Sequence, residues 1–177
     1  MTVFTIGHST RPLVEFLALL DAHGVKQIAD IRSVPRSRRH PHFSIDALEA
    51  SLSQAGVTYR HFRDLGGLRK PKPDSRNLGW RHEGFRGYAD YLETAQFDRA
   101  LAELMVFAAT APTATMCAEA VWWRCHRQIV ADVLVARGVD VRHITSSAAA
   151  APHALTDFAR VAGDGRITYP GVAAPEV

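Results

Sequence analysis

At 177 residues, with 47% apolar side chains spread along its length, the chain has material for one domain with a full hydrophobic core and no composition break that divides it. Its apolar runs, such as Leu13 to Leu20 and Leu101 to Ala111, are interrupted by charge or too short for a bilayer, and a basic-then-apolar leader is lacking; a soluble, cytoplasmic protein with no membrane partner is expected. Two cysteines exclude a disulfide scaffold and leave either buried thiols or a working pair.

The net charge of +3 is unevenly placed: residues 32 to 81 hold eleven Lys and Arg against four acids, so the middle of the chain is basic and the rest acidic. Such a field draws an anionic small molecule, nucleotide-like or phosphate-bearing, or nucleic acid.

Val3 to Ile6 reads as a strand that ends in the polar turn Gly7-His8-Ser9-Thr10. Pro12 then opens a helix over Leu13 to His23, with Leu13, Phe16, Leu17 and Leu20 on one face. Three joints repeat: His23-Gly24-Val25, Ala55-Gly56-Val57 and Arg137-Gly138-Val139 each end a helical pattern with Gly and begin a strand with Val. The strands are Gln27 to Ile31, Val57 to Phe62 and Val139 to Ile144, and Thr113 to Cys117 makes a further one after a long helix near Tyr88 to Ala109. Helices alternating with strands predict an α/β fold, one domain over residues 1–177 with a mostly parallel five-stranded sheet flanked by helices. Ligands of such sheets bind outside the carboxyl ends of the strands, which here release Gly7-His8-Ser9, Asp30 to Phe43, Asp64 to Gly67 and Cys117 to Arg127.

The segment Asp30 to Phe43 is a proline-stiffened basic loop that ends at Ser44, a candidate N-cap for a helix over Ile45 to Ala55. Its arginines Arg32, Arg36 and Arg38 form either an anion clamp or a solvated loop paired with Asp30 or Asp64. Residues 66 to 84 make a long basic connection with a lone Trp80, read as a mobile cover over the strand ends or as disorder without function; Gly66 and Gly67 allow close backbone approach. The Ala-rich tail from Ser146, with a short helix at Pro152 to Val161 and a strand at Arg166 to Tyr169, is expected to pack over the sheet's edge or end.

The chemistry concentrates in Met116 to Arg127, which holds both cysteines, Glu119, His126 and two tryptophans. With Trp122 to Arg124 as a turn and Gln128 to Ala136 as a helix, Cys125 falls in a first helical turn, where exposed amides and basic neighbours lower a thiol's pKa; the alternative is a cysteine packed in the core. Cys117 could be its resolving thiol, and Glu119 a general base or an anchor for Arg124 or Arg127. Trp122 and Trp123 either stack on a ligand ring or pack in the core. No metal is expected, because adjacent Cys125 and His126 on a helix diverge by roughly 100° and no CxxC pair exists. The spacing Cys117 to Arg124 is C-x6-R rather than the C-x5-R of phosphatase loops, and no P-loop or GxGxxG motif points to a nucleotide cofactor, so no cofactor is expected.

Thr5-Ile-Gly-His-Ser9, Asp30-Ile-Arg-Ser-Val-Pro-Arg-Ser-Arg38, Leu65-Gly-Gly67 and Cys117-Ala-Glu119 with Cys125-His-Arg127 resemble, in that order and over nearly the whole chain, the bacterial and archaeal proteins grouped as domain of unknown function 488. The resemblance implies a small α/β domain and marks His8, Ser9, Asp30, Arg32, Pro35, Ser37, Arg38, Gly66, Gly67, Cys117, Glu119, Cys125, His126 and Arg127; relatives carry asparagine where His40 stands. The first functional reading is a cysteine-dependent enzyme. Cys125 is its thiolate nucleophile or redox thiol, Cys117, Glu119 and His126 assist, and His8, Ser9, Arg32, Arg36, Ser37, Arg38, Gly66, Gly67 and Arg127 surround an anionic substrate. The alternative is a nucleic-acid-binding or nucleotide-sensing module with structural cysteines.

Overall fold

A computed structural model describes residues 1–36 and 38–171. Five parallel strands, β1 (Thr2–Gly7), β2 (Gln27–Asp30), β3 (Thr58–His61), β4 (Thr113–Cys117) and β5 (Asp140–Ile144), lie in the order β3-β2-β4-β1-β5, and a two-residue antiparallel strand, β6 (Ala151–Pro152), closes the edge beside β5. The five expected strands are present, and the sixth comes from the tail. The three Gly joints are where they were read: Gly24, Gly56 and Gly138 have φ of 63°, 70° and 79°, a left-handed backbone that costs a side-chain-bearing residue and costs Gly little.

Alternate strand residues face two separate cores. Ile6, Ile28, Ala114, Met116 and Ile144 pack under α1 (Leu13–Ala22) and α2 (Ile45–Gln54), which contribute Phe16, Leu20, Leu48 and Leu52. Val3, Ala29 and Val141 face the other layer, made by α3 (Glu83–Tyr91), α4 (Ala95–Ala108) and α5 (Arg127–Ala136). β1 and β2 therefore send their helices to one face, while β4, which lies between them, sends α5 to the other. That divergence opens a crevice at the carboxyl end of β4, the position where open α/β sheets bind ligands.

Three expectations change. The long helix is two, because the Thr94 hydroxyl accepts a hydrogen bond from Phe97 N at 3.2 Å and starts α4 afresh after Tyr91. The connection 66–84 is held down: the Asp90 carboxylate accepts from Lys72 N, Ser75 Oγ and Asn77 Nδ2 at 2.6–2.8 Å, and Trp80 packs on Phe85, Phe158 and Tyr169. The tail has no helix at 152–161. Its β7 (Arg160–Val161) pairs with β8 (Ile167–Thr168), and His153 and Thr156 are drawn instead to the buried Asp132 of α5. Asp132 also accepts from Tyr169 Oη at 2.8 Å, which fixes the tail over the end of the helical layer. Among the described residues no helix is long and apolar enough to cross a membrane.

Candidate active site

The crevice begins where β4 runs out. Beyond Cys117 the chain turns across the end of β1, held by His8 N donating to Cys117 O (3.0 Å) and Ser9 N donating to Ala118 O (2.9 Å). Gly7 is required here, since a Cβ would coincide with the Glu119 carbonyl. Ser9 has φ 49°, a left-handed conformation that a serine adopts at some cost and that keeps the His8-Ser9 turn against the loop. A 3₁₀ turn, Trp122–Arg124, then leads to Cys125 in extended backbone (φ −138°, ψ 152°), with His126 as the N-cap of α5. Cys125 thus precedes the helix instead of lying in its first turn, and the helical divergence expected of Cys125 and His126 does not apply. Their Sγ and Nδ1 atoms are 3.5 Å apart.

His126 is fixed on every side. Its Nε2 lies 2.9 Å from the Ile31 carbonyl, which can only accept, so Nε2 carries a proton and Nδ1 is turned to the sulfur. The Tyr88 ring lies 5.1 Å away, and Gly67 packs so closely that a Cβ would fall on the imidazole. Trp122 is held from behind by stacking on His143 at 3.9 Å and 6°. His143 belongs to a buried chain of contacts, Thr5 Oγ1–His143–His153–Asp132, with distances of 2.7–2.9 Å. Trp123 is 56% exposed.

Cys117 Sγ, Cys125 Sγ and His126 Nδ1 all lie within 4.8 Å of one another. Cys117 and Cys125 lie close enough to shift each other's ionisation in opposite directions. A hydrogen bond from Cys117, with Arg127 nearby, lowers the Cys125 thiol's pKa against the opposing effect of burial, while Cys117, which keeps its proton, is pushed up. Arg127, 1% exposed, donates through Nη2 to the Glu119 carbonyl and to Ala120 O, and its Nε has no partner. No carboxylate pairs with it among the described residues, and its charge favours the ionised form of the Cys125 sulfur. Two sulfurs and an imidazole nitrogen also form a soft-metal donor set, and among the described residues these three are the ones that could hold such an ion.

The sulfurs open on a cavity of about 730 Å³. Of the residues named from sequence, His8, Ser9, Arg32, Arg36, Gly67, Cys117, Glu119, Cys125 and His126 line it together. Arg38 is exposed and off the wall, Gly66 is buried against Ser33, Arg127 lies beneath the floor, and Ser37 is outside the described residues. Arg32 is on the wall, yet its guanidinium is committed: Nε and Nη2 donate to the Asp30 carboxylate, and Nη1 to Phe43 O and His8 Nε2. That donation fixes His8 as a neutral imidazole, with Nδ1–H given to Ser9 O at 2.9 Å. Burial, with Arg32 beside it, lowers the His8 pKa to about 4. The paired-loop reading holds for Arg32, which pairs with Asp30, while Arg36 lines the cavity. Glu119 does not pair with Arg124 or Arg127; its Oε1 accepts from Val121 N at 3.2 Å.

Ser33, Val34, Leu68, His82, Phe85 and Arg124 also line the cavity and were not read as site residues. His82 falls in the connection read over 66–84 and Phe85 between it and the helix read from Tyr88, where α3 already runs, and Arg124 was weighed as a partner of Glu119.

A family model described as Domain of unknown function DUF488 matches residues 12–134, a span that takes in the basic loop, Gly66-Gly67, both cysteines, Glu119, His126 and Arg127 and leaves His8 and Ser9 just outside. Comparison with curated proteins and with solved structures gives no match. With most of its length matched, and with the cavity's sulfur centre and basic loop inside the match, the chain belongs to the DUF488 family.

Proposed function

We propose that this protein is a cysteine-dependent enzyme in which the Cys125 thiolate attacks an electrophilic centre of a small anionic substrate. The observation that carries this reading is the juxtaposition, at the floor of a cavity of about 730 Å³, of two sulfurs and an imidazole within 4.8 Å, above a buried guanidinium without a carboxylate partner. A thiolate is the nucleophilic form of cysteine, and a hydrogen-bond donor plus a nearby cation is what keeps it ionised at neutral pH. Cys117 supplies the donor, Arg127 the charge, and His126 Nδ1 a group that can take or return a proton at 3.5 Å. Arg36 and Arg124, on the wall, enter no ion pair among the described residues and supply the attraction for an anion.

Two alkylating agents of nearly equal size test both halves. Iodoacetamide should label Cys125 at a rate already near its plateau at pH 6, whereas Cys125→Ser should label slowly. Anionic iodoacetate should react faster relative to iodoacetamide than it does with a free thiol, an advantage that shrinks with salt and in Arg36→Ala or Arg124→Ala. Labelling of Cys125 that rises only in the free-thiol range, or that waits for unfolding, refutes the nucleophile. A charge preference absent at low salt refutes the anionic substrate.

A further inference from the structure

We infer that the two cysteines act as a dithiol on the disulfide of an anionic low-molecular-weight thiol, with Cys125 as the attacking sulfur and Cys117 as the one that resolves the adduct. The inference rests on the thiolate reading above and adds the substrate class and the second step. Three features carry it. Cys117 and Cys125 are the only cysteines of the chain, both are unpaired, and their sulfurs are no more than 4.8 Å apart. Cys125 precedes α5 in extended backbone, outside the helix, so closing a disulfide of roughly 2.05 Å does not require a helical turn to break. Both sulfurs line the cavity, so an adduct on Cys125 stays in front of Cys117.

The chemistry balances. The Cys125 thiolate attacks one sulfur of R–S–S–R, forming Cys125–S–S–R and expelling RS⁻. His126 Nδ1, within 4.8 Å of both cysteine sulfurs, takes the Cys117 proton as the Cys117 sulfur attacks Cys125 Sγ and expels the second thiol. The two cysteines lose two electrons and form an intramolecular disulfide, and one external disulfide becomes two thiols. A single accessible cysteine stops after the first step with one group R attached, which separates a dithiol from a lone nucleophile.

Oxidised glutathione, a disulfide carrying carboxylates, serves as the probe, read by intact mass and by the amount of reduced glutathione set free. The wild type should end as the internal disulfide with no lasting adduct, releasing two glutathiones per chain. Cys117→Ser, which keeps a hydrogen-bond donor, should stop at one released glutathione and a stable adduct on Cys125, and Cys125→Ser should acquire no adduct on the same timescale. The wild-type stoichiometry stands even if a variant misfolds. If the wild type keeps the adduct and releases one glutathione, Cys117 does not resolve and the inference falls while the nucleophile stands. If glutathione fails to react although iodoacetamide labels Cys125 rapidly at pH 6, the substrate class is wrong and the nucleophile again stands. If neither reagent reacts, both readings fall.

Discussion

Removal of the Cys117 thiol tests the electrostatics of the site in one step. The hydrogen bond from Cys117 is the foremost cause of the lowered Cys125 pKa, and hydrogen bonds to charged groups contribute about 1.5–3 kcal/mol. At about 1.4 kcal/mol per tenfold change in the ionisation constant, Cys117→Ala should raise the pH midpoint of Cys125 alkylation by about 1–2 pH units. His126 and Arg127 remain, so the midpoint should still fall below that of a free thiol. Cys117→Ser restores a donor and should recover part of the difference. Iodoacetamide rates across pH read the midpoint directly, because Cys125 is then the sole cysteine. A midpoint that stays put or moves down in Cys117→Ala, with the fold intact by circular dichroism, refutes the coupling of the two thiols.

Gly67→Ala drives a methyl into the His126 ring and should cost about 1–3 kcal/mol, seen as a lower Tm together with slower alkylation of Cys125; an unchanged Tm contradicts the packing. Asp132→Asn leaves the His153, Thr156 and Tyr169 donors facing a weaker acceptor and should destabilise by about 3–5 kcal/mol in urea unfolding, with altered Trp122 fluorescence through His143. Stability should rise from pH 3 towards neutrality. His8 is neutral in the fold down to about pH 4 and is protonated in the unfolded chain below about 6.5, so it contributes about 3 kcal/mol that is lost on acidification through this window; His143, lowered by burial to about 3, acts in the same direction. Cys125 ionises in the fold below the range in which the unfolded thiol loses its proton, near about 8.5, so it adds to the same slope, and Cys125→Ser should flatten that slope without abolishing it. Cys117 has the opposite sign: the fold retains a proton that the unfolded chain loses, and stability should fall above about pH 8.5.

The strands and their joints were legible because each rests on a local cause. Gly24, Gly56 and Gly138 take left-handed backbone that other residues resist, and the apolar runs after them have a strand's length. The gathering of His8, Arg32, Gly67, Cys117, Glu119 and Cys125 at one cavity followed from strand ends alone. What was illegible depends on partners distant in sequence. Sequence leaves Arg32 either clamping an anion or paired with Asp30 until Asp30, His8 and Phe43 O are seen to use its donors. Residues 66–84 read as mobile because nothing local shows that Asp90 and Trp80 tie them down. The placement of Cys125 missed by one or two residues, since helix starts are not fixed that finely by periodicity. That small displacement matters, because an extended Cys125 meets His126 Nδ1 where a helical one would point away.

The central claim, one thiolate beside one thiol on the cavity floor, is tested most directly by the ultraviolet absorbance of thiolate measured against pH in the wild type and in Cys125→Ser. One thiolate's absorbance should be present in the wild type well below the free-thiol range and be missing from Cys125→Ser throughout the neutral range. Absorbance from both sulfurs appearing together only near the free-thiol pKa of about 8.5, unchanged by the substitution apart from amplitude, contradicts the account.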